Sequence, residues 1–182
     1  MWAVLHHGDL FIQASLEHGP PLAMPEYRSE FMRVLHERGF VHQCTDDGAL
    51  DTLAADGSIT GYIGFDCTAD SLHVGSLVQI MMLRWLQRCG HRPIVLMGGG
   101  TTKIGDPSGR DDSRQMLNEV QISANKVGIQ RCFERFLAFG EARGDAIMVD
   151  NADWLEGLEY VAFLRDIGSH FSLNRMLKFD SV

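Results

Sequence analysis

The sequence predicts an α/β fold: a Rossmann-like parallel sheet with helices on both faces, preceded by a short helical segment. Three observations carry this prediction. From Ser58 onward, strand-like and helix-like stretches alternate. The strand-like stretches "IVLM" and "AIMV" are continuous apolar runs, the pattern of strands covered on both sides. The loops after the first two strands, "DCTADSLHVGS" and "GGGTTKIGDPSGR", gather glycine and polar residues at the carboxyl edge, where such sheets bind ligands.

Residues 1–23 lack a basic start, a clean apolar core and a small-residue cleavage site, so they do not form a signal peptide. Pro20, Pro21 and Pro25 bracket Met24, which reads as the natural start. Residues 1–23 are then expected to be a disordered upstream extension, with His6, His7 and His18 as solvated tail residues. "YRSEFMRVLHERGF" predicts a helix with Phe31, Val34 and Leu35 on one face, Ser29 as its cap and Gly39 as its stop. "DGALDTLAADG" predicts a second, using Leu50, Leu53 and Ala54 and ending at Gly57. "SITGYIGFD" turns strand-like through Ile59, Tyr62, Ile63 and Phe65. "SLVQIMMLRWLQRCG" is a helix apolar on most of its surface, ended by Gly90, and "RPIVLMGGG" is a strand breaking into glycines. A long helix is expected over about 113–139, using Met116, Val120, Ala124, Val127, Phe133 and Phe136. "AIMVD" supplies a third strand and "LEYVAFLRDIG" another helix. Crossovers between the parallel strands should be right-handed.

With 182 residues, 45% of them hydrophobic, the chain can bury one substantial core. Its formal charge of −8 excludes a generic basic coat for nucleic acid; an RNA partner would need a local docking surface. Cys44, Cys67, Cys89 and Cys132 form no Cys-x-x-Cys pair, which argues against structural zinc or a disulfide framework. No metal site is expected, and free thiols point to a reducing, cytoplasmic setting. The longest apolar run is interrupted by Gln79 and Arg84, so no membrane span is expected.

The chemistry lies in the two loops. His73 immediately precedes a helix, where backbone N–H groups gather positive potential. Its imidazole there either caps the helix or donates to a phosphoryl oxygen as charge develops on it. Gly64 and Gly75 permit close backbone approach, and Ser76 adds a hydroxyl. The second loop fits neither a P-loop nor a dinucleotide fingerprint. "DPSG" is turn-forming, yet Asp106 at that edge can hold an ammonium, and Arg110 and Arg114 can reach a polyphosphate. Tyr62, Gly64 and Asp66 alternate, so they share one side of their strand.

"YIGFDCTADSLHVGSL" followed by "GHRPIVLMGGGTTKIGDPSGR" resembles the catalytic domain of the bacterial tyrosyl-tRNA synthetases. "HVGS" is similar to the His-Ile-Gly-His signature of class I aminoacyl-tRNA synthetases, with Ser76 in place of the second histidine. The resemblance runs from Met24 to Val182 and makes 24–182 the amino-terminal part of a Rossmann-like catalytic domain. It implies activation of L-tyrosine by ATP, with Mg²⁺ carried by ATP, then transfer to tRNA(Tyr) by a cytoplasmic homodimer. It assigns Tyr62, Gly64, Asp66 and Asp106 to tyrosine, and Thr68, His73, Gly75 and Ser76 to ATP. It gives His73 and Ser76, with Arg110 and Arg114 on pyrophosphate, the catalytic roles. The family's Lys-Met-Ser-Lys-Ser-type loop and anticodon-binding region do not occur before Val182, so these 182 residues alone are expected to be inactive. The alternatives are a tryptophanyl-type or other class I synthetase, another nucleotidylyltransferase, and an inactive nucleotide- or RNA-binding piece.

Overall fold

The computed structural model describes residues 2–5, 10–13, 26–104 and 117–173. Its centre is a six-stranded sheet in the order β3-β2-β1-β4-β5-β6. The strands are β1 (Trp2–Leu5), β2 (Leu10–Gln13), β3 (Gln43–Cys44), β4 (Thr60–Asp66), β5 (Arg92–Gly98) and β6 (Ile147–Asp150). β4, β5 and β6 are parallel, as their apolar sequences predict. β1 joins β4 antiparallel, and β2 and β3 continue antiparallel outward. The sheet is therefore mixed, with its parallel half next to the predicted site. Two segments within the 1–23 stretch are strands of this sheet, and Ile12 is only 1% exposed.

The helices are α1 (Glu30–Glu37), α2 (Asp47–Asp56), α3 (Val74–Arg88), α4 (Gly99–Ile104), α5 (Glu119–Phe133), α6 (Ala152–Leu155) and α7 (Tyr160–Asp166). The Rossmann-like class with helices on both faces is the one found, with unequal coverage. Ile63 and Phe65 point into the core, where Phe65 meets the Phe133 ring of α5 edge-on at 4.8 Å. Tyr62, Gly64 and Asp66, on the opposite face of β4, are half-buried or exposed. Each fully buried side chain, such as Leu35, Leu50, Ile129 and Phe133, contributes roughly 1.5–3 kcal/mol.

Ser29 caps α1 as expected, its hydroxyl accepting the Met32 N–H at 3.2 Å. The buried face of α1 uses Met32 with Phe31 and Leu35, and Val34 is only half-buried. Asp51, buried on α2, accepts the Arg28 and Ser29 amides at 2.9 and 2.8 Å, so one carboxylate joins the two helices. Gly39 and Gly90 follow α1 and α3 at φ 69° and 85°, left-handed turns that favour glycine.

α5 is shorter than the sequence suggests. Asn118 and Gln121 form a capping box that starts it at Glu119, and it ends at Phe133. Its buried stripe is Ile122, Ile129 and Phe133, whereas Val120 and Val127 are exposed. The larger side chains take the core, and Gly128 lies against the Asp70 backbone, where a Cβ would clash. Met116 lies outside the described residues.

Candidate functional site

Three parallel strands end side by side. Asp66 of β4 registers with Gly98 of β5, and Met97 of β5 registers with Asp150 of β6. The carboxyl edge thus gathers Asp66, Gly98 and Asp150 in a row, with the start of α3 in the next crossover.

On β4, Tyr62, Gly64 and Asp66 share a face as the alternation predicts. Tyr62 is 36% exposed, so it is not a core tyrosine. A Cβ at Gly64 would meet only Leu96 Cδ2, at 4.0 Å, which leaves open space between a phenol and a carboxylate. Thr68 follows, also exposed. Cys67 between them is buried; its N–H donates to Thr102 Oγ1 at 3.0 Å, and its carbonyl accepts from Asn125 Nδ2 at 2.8 Å. Burial, with Asp150 nearby, pushes its thiol up to about 11, so it is neutral and inert.

His73 is the N-cap of α3, and its Nδ1 accepts the Gly75 N–H at 3.0 Å. That bond puts the proton of the neutral ring on Nε2. The cap and the donor are therefore two ends of one imidazole. A Cβ at residue 75 would stand 2.8 Å from His73 Cε1, so glycine is needed there to seat the ring. Ser76 lies in the same first turn but is buried, at 8% exposure. His73 is exposed, Gly75 is half-buried and Ser76 is buried. Asp106, Arg110 and Arg114 lie outside the described residues.

The glycine run is not a loose loop. Gly98 ends β5, and Gly99 begins α4. A Cβ at Gly98 would stand 3.1 Å from Asp66 Oδ1, and one at Gly99 would run into the Asp150 carboxylate. Asp150 Oδ1 accepts the Gly99 and Ala152 amides, each at 3.0 Å, and its Oδ2 pairs with Lys126 Nζ at 2.6 Å. Burial pushes the Asp150 carboxyl up, but Lys126 and the two amides outweigh it and hold the pKa below its usual value. Asn151 Oδ1 accepts the Gly100 N–H at 2.8 Å. Lys103 of α4 is tied to Glu119 and Glu156, each at 2.7 Å.

Sequence reading missed Asp150, Asn151, Asn125 and Lys126. Asp150 carried a usable signal, being the last residue of the third strand at the edge where ligands bind. Among the described residues, no three His, Cys, Asp or Glu side chains are grouped to hold a metal ion. The four cysteines are free. No helix among the described residues is long and apolar enough to cross a membrane. An apolar pocket between β4 and α3 is lined by Tyr62 of the β4 strip together with Ile12, Phe31, Ile63, Met82, Leu83 and Leu86.

Known proteins match this chain in sequence and in fold. The family described as tRNA synthetases class I (W and Y) matches residues 54–182. The tyrosine–tRNA ligase of Rhodospirillum rubrum is 65% identical over 155 residues, covering 85% of this chain and 37% of that protein. That of Zymomonas mobilis is 62% identical over 159 residues, covering 87% and 39%. The chain thus spans less than two fifths of the length of these curated relatives. The crystal structure of a C-terminally truncated Aspergillus nidulans mitochondrial tyrosyl-tRNA synthetase superposes with a TM-score of 0.70 at 26% identity, covering 87% of this chain and 46% of that one. The corresponding Coccidioides posadasii structure gives 0.68 at 29% identity, covering 87% and 44%.

Proposed function

This chain belongs to the class I tRNA synthetases of the W and Y family, and on that footing we propose that it carries the amino-terminal part of a site that activates L-tyrosine with ATP. The observation that carries the tyrosine assignment is the open strip on β4: Tyr62 and Asp66 flank Gly64, above which a Cβ would meet only the Leu96 methyl. A phenol-binding tyrosine and a carboxylate separated by a glycine suit a substrate that lies flat between them. A site built to pair a hydroxyl rejects the analogue lacking it, a rule already illustrated by a tyrosyl enzyme.

In the proposed reaction, the tyrosine carboxylate oxygen attacks the α-phosphorus of ATP in line. A new P–O bond forms, the bond to the β-phosphate bridge breaks, and pyrophosphate leaves with that electron pair. Charge spreads over the phosphoryl oxygens, so positioning and donors dominate. His73 Nε2–H is the donor on the ATP side, with Thr68, Gly75 and Ser76 around it. Asp106 takes the substrate ammonium, and Arg110 and Arg114 hold the departing pyrophosphate. Mg²⁺ arrives as part of the ATP substrate. The tyrosyl group then passes to tRNA(Tyr), in a cytoplasmic homodimer. The exposed apolar side chains of the carboxyl-terminal helices, Tyr160, Val161, Phe163, Leu164 and Ile167, support a subunit contact.

Equilibrium binding of labelled tyrosine tests the reading. Tyrosine should bind at least about tenfold tighter than phenylalanine, and Tyr62→Phe should abolish that preference. Equal affinity for the two amino acids, or for tryptophan in place of tyrosine, overturns it.

A further inference from the structure

Two adjacent residues of α5 reach the two loops of the site separately. Asn125 Nδ2 donates to the Cys67 carbonyl at the end of β4. Lys126 Nζ holds Asp150, whose other oxygen grips the Gly99 amide at the end of β5. Neither α5 residue is explained by the core, since the buried stripe of that helix is Ile122, Ile129 and Phe133. Lys126 and Asp150 are instead half-buried and largely buried, their side chains 34% and 17% exposed.

We propose that Lys126 and Asp150 are positioning residues that set the Gly98–Gly100 turn at the ligand edge. The inference rests on the functional reading above for what that turn serves, and on geometry alone for how it is held. The Asp150 carboxylate fills the space a Cβ at Gly99 would take, so the glycine and the acid form one fitted unit. The same oxygen that accepts Gly99 N–H also accepts Ala152 N–H, so β6, α6 and α4 meet on it. Charge from Lys126 keeps this carboxylate ionised and fixes its rotamer through Oδ2, leaving Oδ1 for the two amides. Gly98 lies directly beside Asp66, so a shift of the turn is transmitted to the proposed tyrosine strip on β4.

The test uses Lys126→Met, which keeps the stem and removes the charge, and Lys126→Arg, which keeps the charge. In Lys126→Met, amide exchange at Gly99 should quicken about tenfold while core amides of β5 exchange as before. Tyrosine affinity should weaken by about tenfold, and Lys126→Arg should restore both to within about threefold. Unchanged Gly99 exchange in Lys126→Met overturns the proposal, as does faster exchange with unaltered tyrosine affinity. Should Lys126→Met not fold, Asp150→Asn reads the same coupling at Gly99. If the unsubstituted chain binds no tyrosine, the functional reading fails, and Gly99 exchange with its rescue by arginine still decides whether the pair positions the turn.

Discussion

The imidazole Nδ1 of His73 accepts the backbone N–H of Gly75 at 3.0 Å, and this bond fixes which end of the ring can donate outward. Cap and donor can therefore be separated. His73→Ala removes both and should cost about 1 kcal/mol of stability in thermal melts. His73→Asn retains a capping oxygen and should cost less. In a full-length enzyme with the proposed activity, both should slow adenylate formation by roughly a hundredfold while leaving tyrosine affinity nearly unchanged. Pre-steady-state kinetics distinguish this from a pure cap, for which His73→Asn would be nearly as fast as the parent.

Ile12 of β2 is 1% exposed and faces the same pocket as Phe31 and Leu83. Truncation to alanine should cost about 2–5 kcal/mol, measured by denaturant unfolding. A change below about 0.5 kcal/mol would mean that β2 does not seat in the core.

Acid should weaken the fold from near neutrality downward. Burial holds the His91 imidazole below its ordinary 6.5, and its Nδ1 accepts the Ile59 N–H at 3.4 Å, a bond only the neutral ring makes. The unfolded chain therefore binds more protons than the folded one below that pH. Stability from His91 is full above pH 6.5 and declines as the pH falls through the lower folded value. His36, also lowered by burial and opposed by Asp47, adds to the slope. Melting temperatures from pH 7.5 to 5 should fall, and His91→Gln should flatten that dependence; an unaltered slope would acquit His91.

Gly128→Ala places a methyl on the Asp70 carbonyl, backbone that cannot swing aside. The loop after β4 or helix α5 must move, at about 1–3 kcal/mol. Because α5 also carries Asn125, a thermal shift accompanied by faster exchange of the amides at 66–68 is the expected signature.

What the sequence reveals here is what local chemistry decides. The Ser29 cap, the stops at Gly39 and Gly90 and the shared face of Tyr62, Gly64 and Asp66 all follow from neighbours a few residues apart. Periodicity misled at α5, where Val120, Ala124 and Val127 make a regular stripe that larger, equally regular neighbours outcompete for the core. The glycine run reads as the end of a strand, yet two of its glycines answer to partners far away in sequence: Gly99 to Asp150, Gly100 to Asn151. Such pairs have no local signature, since their spacing is set by the sheet register. The antiparallel strands were hidden for a related reason. Four-residue strands bounded by prolines downstream resemble a tail until their partner strand is known.

The hairpin of β1 and β2 has a consequence for solubility. β4 is seven residues long and uncharged from Thr60 to Phe65, so a bare edge there would offer a template to another chain. β1 covers it at Gly61 and Tyr62, and β2 hands the outer position to β3, only two residues long. Short, staggered edge strands of this kind are poor templates for strand-to-strand stacking between molecules. The strands β1 and β2 thus shield the first part of the β4 edge, a service independent of any chemistry at the opposite end of the strands.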